Sequence, residues 1–198
     1  MQNNIENPLI VTDRGSRDLP FIEFVSSVCH SSSLRSSIFS DVSPNPTDQE
    51  IARGKDVFSS GGHDGVIAIG GGSGMDAGKA ISLVGRNDAD LWAFDYDHPE
   101  SPDLGTESFA PLICVPTTAG TGAETESTAM LTDTEQSVKR CVWHSTQKPL
   151  FAILDPEITV GLPADLTAWT GCDALVHAIE AFSVPDWNPL CDGLALEA

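Results

Sequence analysis

Basic residues are scarce in this 198-residue chain: 10 Lys and Arg stand against 29 Asp and Glu, a formal charge of -19. A balance that negative repels nucleic acid and anionic membranes, so neither is expected as a partner. An anionic ligand must then be held by local backbone amides, not by a global positive field. Long apolar runs are missing too. None approaches the ~20 residues of a membrane span, and the opening "MQNNIENPLIV" has neither the basic nor the long apolar stretch of a secretory signal. The cysteines (Cys29, Cys114, Cys141, Cys172, Cys191) are scattered and form no CxxC pair. A disulfide framework is therefore not expected, and reduced thiols in the cytoplasm are the default. No internal repeat is visible. The one low-complexity tract, "HSSSLRSS" (30–37), reads as a loop or a poor helix end.

What is present is material for a core. Apolar residues make up 40% of the chain, and the length suits one domain, or one and part of a second. Short apolar runs followed by turn residues recur at "PLIVTD" (8–13), "GVIAIGGG" (65–72), "APLICVPTT" (110–118) and "LFAILDP" (150–156). Such runs read as strands buried on both faces. Helical patterns lie between them at 18–29, 47–61 and 75–85, and Thr47 with Glu50 forms a capping box for the second. Strands alternating with helices predict parallel βαβ units, with a ligand at the strands' carboxyl ends. After Asp155 the texture changes. "LPADLTAWTGCDALVHAIEAFSV" (162–184) is one long helical pattern, which places a domain boundary near Gly161.

Three stretches carry chemistry. In "IAIGGGSGMDAGKA" (67–80) an apolar run enters three glycines and then a helical pattern. Glycines there let backbone N–H groups approach an anion, aided by the helix dipole. A phosphate loop of the GxxxxGK[ST] type fails at both ends, because Ser73 and Ala80 replace the required residues. The dinucleotide fingerprint is met loosely by Gly72, Gly74 and Ala77, and it would place a ribose-binding acid ~20 residues on, near Asp95. A turn made only for tight packing has the same composition. The second stretch, "VPTTAGTGAETES" (115–127), again follows an apolar run, and its threonines and glycines suit phosphate, ribose or an amide. Two such loops after parallel strands would sit side by side. In the third, "TGCDALVHAIEAF" (170–182), Asp173 and His177 are four apart, on one helix face. They could ligate a divalent metal, be an exposed acid beside a satisfied histidine, or leave His177 to pair with Glu180.

Together, in this order, the three stretches resemble the iron-containing (group III) alcohol dehydrogenases, and "VSPNPT" (42–47) and "LDPEITVGLP" (154–163) extend the likeness. The resemblance implies a Rossmann-like α/β dinucleotide-binding domain over residues 1–160. It also implies the start of an all-helical metal-binding domain over 161–198, in a dehydroquinate synthase-like architecture. It further implies NAD(H) or NADP(H), with Fe²⁺ or alternatively Zn²⁺, in the cleft between the two. Carried over by position, Asp13 contacts the adenosine ribose, displacing Asp95, and Asn45 lies near the adenine. Gly71, Gly72, Ser73, Gly74, Met75 and Asp76 hold the pyrophosphate. Thr117, Thr118 and Thr121 line the cleft, Lys139 approaches a ribose or the nicotinamide, and Asp173 and His177 are the first two metal ligands. A carboxylate at Asp13 accepts from a 2′-hydroxyl and repels a 2′-phosphate, which favours NAD(H).

The departures from the pattern also carry weight. The family completes its metal site with two more histidines from later helices, and it normally has a strand and turn ahead of "LIVTD". His30, His63, His98 and His144 match no ligand position, and Glu126 stands where Thr or Ser is usual. The expectation is thus a partial chain of an enzyme acting on an alcohol, aldehyde or ketone, inactive alone and a homodimer or higher homo-oligomer when full length, with no catalytic side chain assigned. Maleylacetate reductase or glycerol dehydrogenase is the near alternative, and a non-catalytic nucleotide-binding remnant the distant one.

Overall fold

The computed structural model describes residues 5–98, 100–185 and 187–198. In chain order its elements begin with β1 (Pro8–Val11), α1 (Pro20–Ser31), β2 (Ser37–Phe39), α2 (Asp48–Ser60), β3 (Gly65–Gly70) and α3 (Gly72–Val84). They continue with β4 (Leu112–Pro116), β5 (Thr128–Asp133), β6 (Val138–Trp143) and β7 (Phe151–Ala152), and end in helices α4 (Pro156–Thr159), α5 (Ala164–Ser183) and α6 (Pro189–Glu197). Five strands form one sheet in the order β2-β1-β3-β4-β7, every neighbouring pair parallel.

Alternate residues of the central strands serve opposite faces of that sheet. Leu9, Val11, Val66 and Ala68 pack with Ile51 and Phe58 of α2 and with Ala77 and Ile81 of α3. Ile10 and Ile69 turn the other way, onto Ile22, Phe21 and Val25 of α1. Two covered faces explain why these strands read as unbroken apolar runs. The expected parallel α/β core is present.

Local chemistry sets the helix starts. Thr47 Oγ1 accepts the Glu50 N–H at 3.2 Å and Glu50 Oε2 accepts the Thr47 N–H at 3.0 Å, the reciprocal capping box read from the sequence. α3 begins at Gly72, three residues before the expected start, because Gly71 is the extended N-cap and Gly72, Ser73 and Gly74 continue directly into helical turns.

One expected strand needs correction, and β2, β5 and β6 are elements the sequence left unassigned. "LFAILDP" yields only the two-residue β7, and it is not buried on both faces: Phe151, Ile153 and Leu154 are 65%, 51% and 68% exposed. It is an edge strand that pairs β4 only at Ile113 and Cys114. The end of the serine tract enters β2, the opposite edge, paired to β1 from Ser37 to Phe39. β5 and β6 form an antiparallel hairpin that the sequence reading passed over. Its period-two burial of Ala129, Leu131 and Asp133 is clear, and Asp133 Oδ1 accepts the Glu135 and Gln136 N–H groups to make the turn. Among the described residues no helix is long and apolar enough to cross a membrane.

Candidate cofactor and metal cleft

The order of strands brings the two glycine-containing loops together, since β3 and β4 are neighbours and both end at the same side of the sheet. Gly70 turns the chain off β3 with φ +153°, a conformation that disfavours any side chain, and a Cβ there would stand 3.1 Å from Asp13 Oδ2. The glycine turn therefore touches the end of β1. Asp13 is itself held, its carboxylate accepting from Ser16 N at 3.0 Å and Ser16 Oγ at 2.8 Å. Added Cβ atoms on Gly71 and Gly72 would lie 3.3 Å from Thr118 Cγ2 and 3.2 Å from Thr121 Cγ2. Bare backbone thus faces the threonine loop across a space that side chains would fill. Gly71 places no side chain on the first amides of α3, so these donors and the helix dipole remain turned toward that space.

α5 closes the other wall. A Cβ on Gly120 would come 2.5 Å from the Thr170 carbonyl oxygen, so only glycine lets the threonine loop lie directly on α5. One turn further, Asp173 Oδ1 and His177 Nε2 stand 3.7 Å apart. The result is a cavity of about 450 Å³. Among its lining residues are Asn45, Gly72, Ser73, Asp76, Thr121, Lys139, Asp173 and His177, all singled out in the sequence. Asn45 N donates to Ser73 Oγ at 3.4 Å, and Lys139 Nζ donates to Asn45 Oδ1 at 2.8 Å, which ties three of them together.

The remaining candidates lie around this cavity. Asp13 is beside the glycine turn, outside the lining, while Gly74 and Thr117 are buried beneath the loops. Met75 has nothing to offer a ligand: its side chain is in the core, and its N–H donates to the Gly71 carbonyl at 3.0 Å. Asp95 is buried and paired with Arg140, away from any ribose role. His63 is buried against the Asn7 carbonyl at 2.9 Å, and His144 stacks on Phe109 at 4.5 Å.

Burial dominates the electrostatics. The Asp76 carboxyl is pushed up to about 7 by desolvation, which outweighs the downward pull of Lys79, the Met130 amide and Lys139. Lys79 is fully buried, and burial lowers its ammonium despite the neighbouring Asp76. Two further lining groups escaped the sequence reading, Thr128 and Met130 of the hairpin. The period-two alternation of "TAMLTD" (128–133), which sets Thr128 and Met130 on the face opposite Ala129 and Leu131, was their available signal.

The donors fit a dinucleotide: free helix-terminal amides for phosphate, threonine hydroxyls, and an acid at the end of β1. For a first-row divalent ion the donor types fit, but Asp173 and His177 are two, and among the described residues no three His, Cys, Asp or Glu side chains converge.

The family model described as iron-containing alcohol dehydrogenase matches residues 1–156. Over 194 residues the chain is 36% identical to a 4-hydroxybutyrate dehydrogenase of Cupriavidus necator, covering 98% of this chain and 50% of that protein. Over 197 residues it is 38% identical to an NAD-dependent methanol dehydrogenase of Bacillus methanolicus, covering 100% and 50%. The crystal structure of a 1,3-propanediol oxidoreductase aligns with a TM-score of 0.90 at 34% identity, over 98% of this chain and 49% of the other. The chain thus spans about half the length of the curated relatives it matches. It belongs to the iron-containing alcohol dehydrogenase family.

Proposed function

We propose that this chain forms the cofactor-binding part of an NAD(H)-dependent alcohol dehydrogenase, with residues from 161 onward beginning its metal-binding domain. The observation that carries the reading is the cleft itself, where two loops from adjacent parallel strands meet a helix bearing Asp173 and His177. A relative named as an NAD-dependent methanol dehydrogenase supports the cofactor class. The amides of Gly72 to Gly74 and the Ser73 hydroxyl bind the pyrophosphate, and Asp13 accepts from the adenosine 2′-hydroxyl. Thr117, Thr118, Thr121, Asn45 and Lys139 fix the remainder of the dinucleotide, while Asp173 and His177 supply two ligands for Fe²⁺ or Zn²⁺. When bound, the nicotinamide supplies a hydride acceptor and the metal supplies Lewis acidity toward an alcohol oxygen. The chain's own contribution would be position: the glycine and threonine loops would hold the dinucleotide, and Asp173 with His177 would hold the metal.

Titrating the 198-residue chain with NADH and NADPH tests this. NADH should bind more tightly, and Asp13→Gly should narrow the gap. Tighter NADPH binding would overturn the assignment of Asp13. Fe²⁺ or Zn²⁺ should bind weakly, because a first-row ion in an enzyme site usually takes at least three protein ligands. Tight stoichiometric binding would show that ligands beyond Asp173 and His177 take part.

A further inference from the structure

One buried cation lies behind the cleft without lining it. Lys79 is 0% exposed in the middle of α3, and its Nζ donates to the Thr128 carbonyl at 2.9 Å. A buried ammonium is costly unless it is paired and hydrogen-bonded. Asp76, three residues earlier on the same helix, partly offsets that burial and raises the ammonium without forming an ion pair with it.

The hairpin register explains why both side chains point where they do. Met130 stands opposite Cys141, yet the Cys141 carbonyl accepts the Tyr96 N–H at 2.8 Å. At this pair the backbone groups therefore face away from the partner strand, and the alternation of an antiparallel ladder extends this to Thr128 and Thr132. On that outer edge of β5, the Thr132 N–H donates to the Pro46 carbonyl at 2.8 Å and the Thr128 carbonyl accepts from Lys79. The Met130 N–H acts on the Asp76 carboxyl. The Lys79 side chain and the Pro46 carbonyl thus satisfy backbone groups on an edge that a third strand would otherwise occupy. Opposite Thr132, on β6, is Lys139, which reaches Asn45 in the cleft. The seat of β5 on α3 therefore fixes how far Lys139 stands from the glycine turn.

We propose that Lys79 is a positioning residue, which through the Thr128 carbonyl holds the β5–β6 hairpin on the glycine-turn helix and so places Lys139 at the cofactor cleft. This rests on the dinucleotide reading above. A purely structural Lys79 would contribute to stability and leave Lys139 where it is.

A double-mutant cycle on the 198-residue chain separates the two. NADH affinity is measured for the wild type, Lys79→Met, Lys139→Ala and the double variant. Each single change should weaken binding about tenfold, and the double variant should bind no more weakly than Lys139→Ala alone. Additive losses, or unchanged affinity in a folded Lys79→Met protein, would overturn the proposal. Lys79→Gln keeps an N–H donor near Thr128 and should recover part of the loss; it also carries the cycle if Lys79→Met fails to fold. Hydrogen exchange needs no ligand. Lys79→Met or Lys79→Gln should speed amide exchange across residues 128–143 relative to α2, and equal rates would refute the dock. A wild-type chain that binds neither NADH nor NADPH would refute the cofactor reading and the role of Lys139 with it, whatever the exchange shows.

Discussion

Ile69 on β3 and Ile179 on α5 are the same side chain in opposite surroundings: the first is wholly buried, the second 56% exposed. The contrast extends to their neighbourhoods. Ile69 lies in the cluster between the sheet and α1, with Ile10, Ile22 and Val115. No residue of α5 or α6 is buried, although α5 carries Trp169, Leu175, Ile179 and Phe182. The two walls of the cleft are therefore built to different standards. The glycine and threonine loops are fixed by a packed sheet, while Asp173 and His177 are presented by a helix seated at the Gly120–Thr170 contact and alongside α6. An apolar helix face left open to water is a ready docking surface. The difference teaches that the glycine and threonine loops are preorganised by the sheet beneath them, and that among the described residues nothing packs comparably behind the helix bearing Asp173 and His177.

Truncation at both positions would sharpen or break that contrast, and here the largest effect is expected. Ile69→Ala should lower unfolding stability by about 2–5 kcal/mol, as for a buried aliphatic residue. Ile179→Ala should change it by no more than about 0.5 kcal/mol. Urea unfolding of the two variants measures both. Equal losses would mean that α5 is covered in solution, and the comparison would fail.

The sequence displayed the packed region far better than the exposed one. "PLIV", "GVIAIG" and "LICVP" are buried on two faces, so their composition alone marks them as strands. The same logic misjudged "LFAIL", because an apolar run at a sheet edge looks identical to one at its centre until the neighbours are known. The β5–β6 hairpin was hidden by its polar turn and by the absence of an Asn-Gly or Asp-Gly pair. At the site, spacing placed Asp173 and His177 on one face, but it could not choose between metal and solvent. The metal reading of the pair comes from the resemblance alone. That Met75 points inward follows from helix phase, which only an exact helix start supplies. The burial of Lys79 was illegible, since its partner is a backbone carbonyl 49 residues away.

On the preorganised side, the glycine turn should respond more sharply to added bulk than to lost charge. A Cβ at Gly72 already meets Thr121 Cγ2 at 3.2 Å, so the branched side chain of Gly72→Val would fill the space in which we propose that the pyrophosphate sits. The expected loss of NADH affinity is about 2 kcal/mol, the scale of an obstructed charge-assisted hydrogen bond. Calorimetric titration measures it, with circular dichroism to confirm folding. Unchanged affinity would make the turn a packing device and remove the cofactor side of the comparison.

The smallest expected effect is on pH dependence, and it tests whether the packed wall also controls charge. Asp76 faces the cavity with its carboxyl raised from 3.8 to about 7, chiefly by burial, while Lys79 and Lys139 oppose the rise and Glu126 adds to it. Above pH 7 the group is ionised and repels an anionic pyrophosphate; below, it is neutral. NADH affinity should therefore fall a few-fold between pH 6 and pH 8, on the order of 1 kcal/mol, and Asp76→Asn should flatten the profile. Stability moves in the same direction, because the folded-state value exceeds the unfolded one. From about pH 4 to about pH 7 the folded chain keeps a proton that the unfolded chain has released, so this group's contribution to stability declines as pH rises through that window. Asp41 and Asp133, both held below the usual carboxylate range by hydrogen bonds from Arg14 and Arg53 and from the Gln136 amide, act only at lower pH and in the opposite sense. The difference between wild type and Asp76→Asn in urea midpoints from pH 4.5 to 8 isolates the Asp76 term. A slope that survives the substitution would place the titrating group elsewhere, and the packed wall would then hold the phosphates by backbone geometry alone.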